Sequence, residues 1–311
     1  MDFSAVKPSY FISLSGVVMH KNLVAFACCV YTVVSHAQPA RSNVNVDTAV
    51  QIGGAGAGAI NRQNQAIGNA SNGGKSSVSV GAAVQVGGAG VGASNTQSSE
   101  VGNATGADSV SNVRAGTVVQ VGGAGVGAAS NQKLAIGNAS NGGKSNVNLG
   151  AAVQVGGAGV GASNSQTLAV GNATGAGSST NVRAGTVVQV GGAGVGAANR
   201  QTMELGNASG GGKSNVNIGS AVQVGGAGVG AANKQTVRVG NAESGGKSNV
   251  SMAAVVQVGG GVLGGGNNQN IEIGNAANGQ TTNVSTGTIV QAGGGALGIS
   301  NNQSIRLGNA R

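Results

Sequence analysis

After residue 37 the chain contains no cysteine, histidine, tryptophan, tyrosine or phenylalanine, and only 7% of all 311 residues are charged. Without cysteine, this part has neither disulfides nor thiol redox chemistry. Without histidine, its many serines lack a base to activate them, and zinc and copper lack their usual ligands. These absences argue against an enzyme and against a bound metal.

Three binding functions that glycine-rich sequences suggest are also disfavoured. The run from Val155 to Gly161 resembles a dinucleotide-binding turn, but that site needs a following helix, and a strand pattern follows here. Calcium-binding β-rolls place an aspartate in each turn, whereas this part has only Asp47 and Asp108. Single-stranded nucleic acid usually binds to aromatic platforms, which are absent. We therefore expect no cofactor, no metal and no nucleic acid.

Residues 1–37 have the pattern of a secretory signal. A short basic segment, Met19-His20-Lys21, precedes an apolar run from Leu23 to Val34, and Ser35-His36-Ala37 supplies small residues for cleavage. The apolar run is too short to span a bilayer as a helix. We expect translation to start at Met1 or Met19, cleavage near Ala37, and a secreted protein that is located outside the cell or on its surface.

The remaining chain is basic. Removing Lys7, Lys21 and Asp2 with the presequence leaves 14 of the 16 basic residues and 6 of the 7 acidic ones, a net charge of +8. Because the basic residues are far apart in sequence, we expect them to keep the surface soluble and to discourage self-association. A stripe that binds a polyanion is the alternative. Examples of these residues are Lys75, Arg114, Lys144, Arg183 and Lys213.

Internal repetition is the strongest signal in the sequence. A Val-Gln pair followed by an aliphatic residue and glycines recurs every 34 or 35 residues, and eight copies fill residues 38–311. This regularity predicts a single repeat domain. The reference valines of the eight copies are Val50, Val84, Val119, Val153, Val188, Val222, Val256 and Val290.

Each copy is expected to form two strands. In the fourth copy, apolar residues alternate with polar or small ones, which is typical of a strand with one buried face. A glycine-rich stretch at 156–159 is suited to reversing the chain, and the alternation then changes parity. The residues predicted to point inward are Val147, Leu149, Val153 and Val155 in the first strand, and Val160, Ala162, Asn164, Gln166, Leu168 and Val170 in the second.

We call each strand-turn-strand copy a rung, and the sequence predicts an all-β solenoid of about eight rungs, each 34–35 residues long. One rung buries too few apolar side chains to offset the entropy of ordering its backbone. Hydrogen bonds to neighbouring rungs are therefore needed for stability. The stability of this fold is expected to come from stacking.

Polar residues recur at two of the inward positions of the second strand. Buried amides are unfavourable unless they are paired, and stacking identical amides pairs them in ladders. The glutamines are Gln63, Gln97, Gln132, Gln166, Gln201, Gln235, Gln269 and Gln303. The asparagines are Asn61, Asn95, Asn164, Asn199, Asn233, Asn267 and Asn301, and Ser130 occupies this position in the third rung.

An outward position three residues after each glutamine carries charges of alternating sign in the last four rungs. Stacked in register, opposite charges attract and like charges would repel. These residues, Glu204, Arg238, Glu272 and Arg306, are predicted to form an outer charge ladder. Chance variation at solvent positions is the alternative interpretation, because exposed pairs contribute little.

The repeats resemble those of curli fibre subunits. The likeness lies in Ser145-Asn-Val-Asn-Leu149, Gln154-Val-Gly-Gly157 and Asn164-Ser-Gln166. The segment from Val126 to Ile136 is similar in style to the Fap type of bacterial functional amyloid. The repeats here are longer than curli repeats and lack their aromatic residues. The resemblance implies a curli-like bacterial functional amyloid.

The sequence thus favours a secreted structural subunit. Solenoids usually protect their terminal rungs with atypical capping repeats, and no such repeat is evident here. We expect copies of the chain to stack end to end into amyloid-like fibres for a biofilm matrix or for adhesion, with a secretion or nucleation partner at the cell surface. The alternative is a non-polymerising solenoid adhesin, or an ice-binding protein with a threonine array. Thr167, Thr202 and Thr236 align in only three rungs.

Overall fold

The computed structural model describes residues 41–308 except 55, 59, 69, 72–74, 107–108, 138, 142, 172, 176, 207–208, 211–212, 241, 244–246, 262, 275, 278–280, 296 and 299. The predicted presequence, with its possible start at Met19, lies outside the described residues. The described chain is built of three parallel sheets, two with eight strands and one with four. It confirms the prediction of an all-β solenoid.

The first sheet contains the long strand of each rung. Its strands pair in parallel in chain order, and each residue faces its equivalent in the next rung, as Val153 faces Val188. The long strands are β1 (Arg41–Ile52), β4 (Lys75–Val86), β7 (Val110–Val121), β10 (Lys144–Val155), β13 (Ser179–Val190), β15 (Lys213–Val224), β17 (Ser248–Val258) and β19 (Thr282–Ala292).

The second sheet contains the short strand of each rung and is also parallel and in register. Its strands are β2 (Ile60–Ile67), β5 (Ser94–Val101), β8 (Ala129–Ile136), β11 (Ser163–Val170), β14 (Ala198–Leu205), β16 (Ala232–Val239), β18 (Gly266–Ile273) and β20 (Ser300–Leu307). Four two-residue strands form a small third sheet after the first four short strands: β3 (Ala70–Ser71), β6 (Ala104–Thr105), β9 (Ala139–Ser140) and β12 (Ala173–Thr174).

The long strand bends in its middle, and this bend corrects part of the predicted facing. In β10 the pairing with β13 skips Gly150, and the inward face changes from Leu149 to Ala152. A Cβ at Gly150 would lie 2.4 Å from the carbonyl oxygen of Gly116, a close approach that favours glycine, although Asp47 and Ala253 occupy the equivalent position in the first and seventh rungs. As a result Val153 and Val155 are only partly buried, and the prediction that they point inward is wrong.

The glycine-rich turn between the two strands stacks on the same turn of the next rung. Gly156 N donates to the carbonyl of Val190, and Gly159 N to the carbonyl of Ala193. A Cβ on Gly157 would lie 1.7 Å from the carbonyl oxygen of Gly123, so a side chain there would prevent this stacking. Val160, predicted to point inward, lies at the tip of the turn and is 53% exposed.

The core lies between the two eight-stranded sheets and runs the length of the solenoid. In the fourth rung, Val147, Leu149, Leu168 and Val170 are at most 3% exposed. Their equivalents in neighbouring rungs form the same continuous cluster. No helix in the described part of the chain is long and apolar enough to cross a membrane.

Candidate functional site: the stacked amide ladders

The predicted glutamines of the short strands form a continuous hydrogen-bonded stack, which we call the short-strand glutamine ladder. Each side chain donates from Nε2 to Oε1 of the glutamine one rung earlier, for example Gln166 to Gln132 at 2.9 Å. All seven steps from Gln63 to Gln303 have distances of 2.8–3.0 Å. Seven of the eight glutamines are at most 2% exposed, and Gln303, in the last rung, is exposed.

The predicted asparagines form a second stack, the asparagine ladder, which also fixes the glycine-rich turn. Asn164 accepts from the backbone N–H of Gly157 through Oδ1 and donates from Nδ2 to the carbonyl of the same glycine, at 2.9 and 3.0 Å. Its Nδ2 also donates to Oδ1 of Asn199 in the next rung at 3.0 Å. Five such steps link the asparagines, and they run in the opposite direction to those of the glutamines.

Ser130 interrupts the asparagine ladder in the third rung. Its side chain is 4% exposed, and its hydroxyl has no hydrogen-bond partner among the described residues. A serine side chain is shorter than asparagine and carries one donor instead of two. The ladder is therefore divided into a short part, Asn61 and Asn95, and a longer part that begins at Asn164.

A third stack was not predicted from the sequence. Gln154 and its equivalents point inward from the long strands and form the long-strand glutamine ladder, with seven steps of 2.6–2.9 Å. Its members are Gln51, Gln85, Gln120, Gln154, Gln189, Gln223, Gln257 and Gln291. The sequence does contain a signal for this ladder, because a glutamine follows every reference valine. A partly exposed position would not require the same residue in every rung.

The long-strand glutamine ladder also connects the two sheets. Gln154 Nε2 donates to the carbonyl of Thr167 in the short strand of the same rung at 3.0 Å. All eight members make this contact, at 3.0–3.2 Å. One amide N–H thus serves the stack and the other the opposite sheet. From Gln85 to Gln291 both N–H groups are used, so these amides avoid the free-energy penalty of an unpaired donor.

The outer charge ladder lies on the solvent side of the short strands. Arg238 lies between two carboxylates, with Nη1 3.5 Å from Glu204 Oε1 and Nε 3.4 Å from Glu272 Oε2. Arg306 Nη1 lies 3.8 Å from Glu272 Oε1 and continues the series. The structure therefore brings all four predicted residues together in the predicted order.

The stacks end at the first and last rungs. Among the described residues, no strand pairs with the outer edges of β1 and β2 or with those of β19 and β20. Side chains that are buried in inner rungs are consequently open at the last rung, where Ile305 and Leu307 are both 45% exposed. The last rung thus exposes ladder amides and part of the core, whereas in the first rung Gln63 and Ile67 are each 2% exposed and Gln51 is 5% exposed.

Comparison with protein-family models, with curated proteins and with solved structures finds no match to this chain. The class of this protein is therefore assigned from its fold and its amide ladders alone. The chain is a parallel β-solenoid repeat protein with stacked asparagine and glutamine ladders, a feature that it shares with curli-like repeats.

Proposed function

We propose that this protein is a secreted structural subunit that stacks end to end into extracellular amyloid-like fibres. The observation that carries the proposal is the pair of ends at which two parallel sheets and three amide ladders stop without a neighbouring strand among the described residues, with core side chains exposed at the last rung. Unpaired strand edges are templates for pairing with another chain. The expected partner is a further copy of the same protein, because only its edges carry the same ladder spacing.

The two ends are complementary in sequence. Continuing the observed register by one rung places Gln303 against Gln63 of a second copy, and Gln291 against Gln51. It also places Leu307 against Ile67, so that an apolar contact forms at the joint. The inward position of Ile305 differs, because it faces the polar Gln65. At that position the joint is less apolar than the inner rungs.

The ladders also give the fibre a direction. Among the described residues, both glutamine ladders end at an Oε1 in the last rung that accepts no ladder hydrogen bond and at an Nε2 in the first rung that donates none to the ladder, while the asparagine ladder runs the opposite way. Joining last rung to first rung matches donors with acceptors in all three ladders. Joining two like ends would place acceptor against acceptor or donor against donor. We therefore propose head-to-tail growth.

The wider role follows from the same proposal. A fibre that is exported by its presequence would serve a biofilm matrix or surface adhesion, with a secretion or nucleation partner at the cell. The protein would act by assembly and not as an enzyme. A non-polymerising adhesin is the alternative. Aligned threonines, which an ice-binding face would need, are confined to Thr167, Thr202 and Thr236 in the short-strand sheet.

Concentrating the purified chain tests the proposal. We expect fibres that increase thioflavin fluorescence and give a meridional reflection at about 4.7–4.8 Å, with each subunit extending about 38 Å along the axis. A stable monomer at high concentration, without that reflection, would contradict fibre formation and favour the surface-binding alternative. The reflection must come from aligned fibres, because a solenoid monomer has the same internal spacing.

A further inference from the structure

The basic residues that are far apart in the sequence lie on one face of the solenoid. Six consecutive rungs each present one exposed lysine or arginine on the outer side of a long strand or, for Lys247, directly before it. These residues, which define the basic face, are Lys75, Arg114, Lys144, Arg183, Lys213 and Lys247. The expectation of scattered charge is thereby corrected, because repeats of nearly constant length bring distant residues into register.

The charges on the basic face form two rows with asparagines between them. Lys144 lies two residues before Asn146, whereas Arg114 lies two residues after Asn112, the register partner of Asn146. Lysines therefore flank the asparagine row on one side and arginines on the other. From Lys75 to Lys213 the basic residue changes side at every rung.

The asparagine row is ordered and open to solvent. Asn146 Nδ2 donates to Asn112 Oδ1 at 2.9 Å, and Asn215 Nδ2 donates to Asn181 Oδ1 at 3.2 Å, and both pairs are exposed. Arg114 and Arg183 line the same shallow depression as Asn112, Asn146 and Asn181. The face thus presents a row of amide donors and acceptors between two rows of cations.

The opposite outer face has a different charge balance. The four ion pairs found in the described part of the chain all lie on the short-strand side, where Glu100, Glu204 and Glu272 neutralise nearby basic residues. Among the described residues of the long strands, the acidic one is Asp47. It lies in the first rung, one rung before the basic face begins at Lys75. Glu243 is exposed in the turn before β17, but the long strands from β4 to β17 contain no acidic residue, so the basic face is positive along its strands.

We propose that the basic face binds a linear anionic polysaccharide, namely a ribbon-shaped polyuronate whose successive carboxylates point to opposite edges. Rungs repeat at about 4.8 Å, which is close to the length of one sugar unit in an extended chain. Carboxylates at one edge of the polymer would contact the lysine row, and those at the other edge would contact the arginine row. Arginine binds carboxylates through two hydrogen bonds. The central amides match the sugar hydroxyls in donors and acceptors. Single-stranded nucleic acid fits less well, because the face offers no aromatic side chain for stacking.

This binding does not depend on the fibre, because a single subunit presents the whole basic face. Fibre formation would place many such faces in one line and increase the avidity for a long polymer. The two proposals are therefore separable by experiment. A chain that assembles without binding polyuronate overturns only the present proposal, and one that binds without assembling overturns only the fibre.

Calorimetric titration of the soluble full-length chain tests the proposal. The probe is a β-1,4-linked oligouronate long enough to span the basic face. A neutral β-1,4-linked oligosaccharide of equal length and single-stranded oligothymidylate serve as comparison ligands. We expect binding of the oligouronate that weakens with salt, and at least about tenfold weaker binding of both comparison ligands. Tighter binding of oligothymidylate would instead indicate a nucleic-acid surface.

Matched variants locate the site. Arg114→Gln with Arg183→Gln is expected to weaken oligouronate binding at least about tenfold. Arg200→Gln with Lys234→Gln removes the same charge from the exposed short-strand face and is expected to change the affinity less than about twofold. Equal loss in both would overturn the proposal in favour of nonspecific attraction. If the first pair impairs folding, Lys144→Gln with Lys213→Gln makes the same test from the lysine row.

Discussion

The inner rungs and the last rung carry equivalent strands and ladder positions, but their surroundings differ. Val170 is 0% exposed in the fourth rung, whereas its equivalent Leu307 in the last rung is 45% exposed. Gln166 is 1% exposed, whereas its equivalent Gln303 is exposed. Burial in this protein is therefore a property of stacking and not of the single rung. This contrast holds for the last rung, whereas in the first rung the equivalent residues Ile67 and Gln63 are each 2% exposed.

The strongest test of this difference places one charge at equivalent inner and terminal positions. Val170→Asp buries an unpaired carboxylate between two rungs, so we expect it to lower the free energy of unfolding by more than about 4 kcal/mol. Leu307→Asp places the same group where water reaches it. That variant is expected to fold but not to elongate fibres, because its charge would be buried only at the joint.

Denaturant unfolding and seeded elongation separate the two effects. Circular dichroism at low concentration verifies that the Leu307→Asp chain is folded, and Leu307→Met is the control that keeps an apolar end. If Leu307→Asp elongated at the rate of the unchanged chain, the last rung would not be part of the growing surface.

The inner ladders give the next largest effect. Gln166→Leu with Gln201→Leu removes two adjacent members and leaves the amides of Gln132 and Gln235 each without one partner. We expect a loss of about 3 kcal/mol in the free energy of unfolding, because each unpaired buried group is unfavourable by about 1–3 kcal/mol. Thr167→Val with Thr202→Val alters the outer side of the same strands and is the control. Similar losses in both would contradict the inward facing of the glutamines.

Repair of the asparagine ladder should have a smaller effect of the opposite sign. Ser130→Asn would supply the missing amide between Asn95 and Asn164, and we expect it to raise the free energy of unfolding by about 1 kcal/mol. Ser130→Ala, which removes the unpaired hydroxyl without restoring the ladder, is the control. A Ser130→Asn chain that is less stable than Ser130→Ala would show that the site does not accommodate the amide.

The outer charge ladder should contribute least. Arg238→Ala removes the cation between Glu204 and Glu272, and we expect a loss below about 1 kcal/mol because exposed ion pairs are weak and screened. Thermal unfolding at low and high salt measures it, with Arg200→Ala as the control. A loss that persists undiminished in high salt would mean that the arginine acts through packing and not through charge.

The sequence predicted the short strands better than the long ones, and the reason is geometric. Between Ala162 and Val170 the alternation is unbroken, so the inward positions of Asn164 and Gln166 followed from period and turn alone. In the long strand, the bend at Gly150 shifts the period by one residue, which places Gln154 inward and Val153 partly outward. The hydrophobic pattern alone predicted the reverse, with Val153 inward and Gln154 outward. A glycine between the two alternating stretches recurs in six of the eight rungs, and it was the signal of the bend.

The basic residues show a second limit of prediction from the sequence. Arg114 and Arg183 are far apart in the chain, and their alignment became evident only when the register of the long strands was known. The outer charge ladder is predictable from the sequence because its four members share one repeat position. The basic face is not, because its lysines and arginines occupy two different positions of the repeat.

Disulfide trapping between copies tests head-to-tail stacking most directly. In a chain with Cys28→Ser and Cys29→Ser, the pair Ile60→Cys and Ser300→Cys places one thiol at each end, both on the exposed outer side of the short strands. In the proposed joint these positions are register partners about 4.8 Å apart, within the Cα range of about 4.4–6.8 Å that a disulfide needs. Fibres treated with a mild oxidant are expected to give a ladder of covalent multimers, and each single variant none. Multimers absent from the double variant, or dimers formed by a single variant, would contradict head-to-tail assembly.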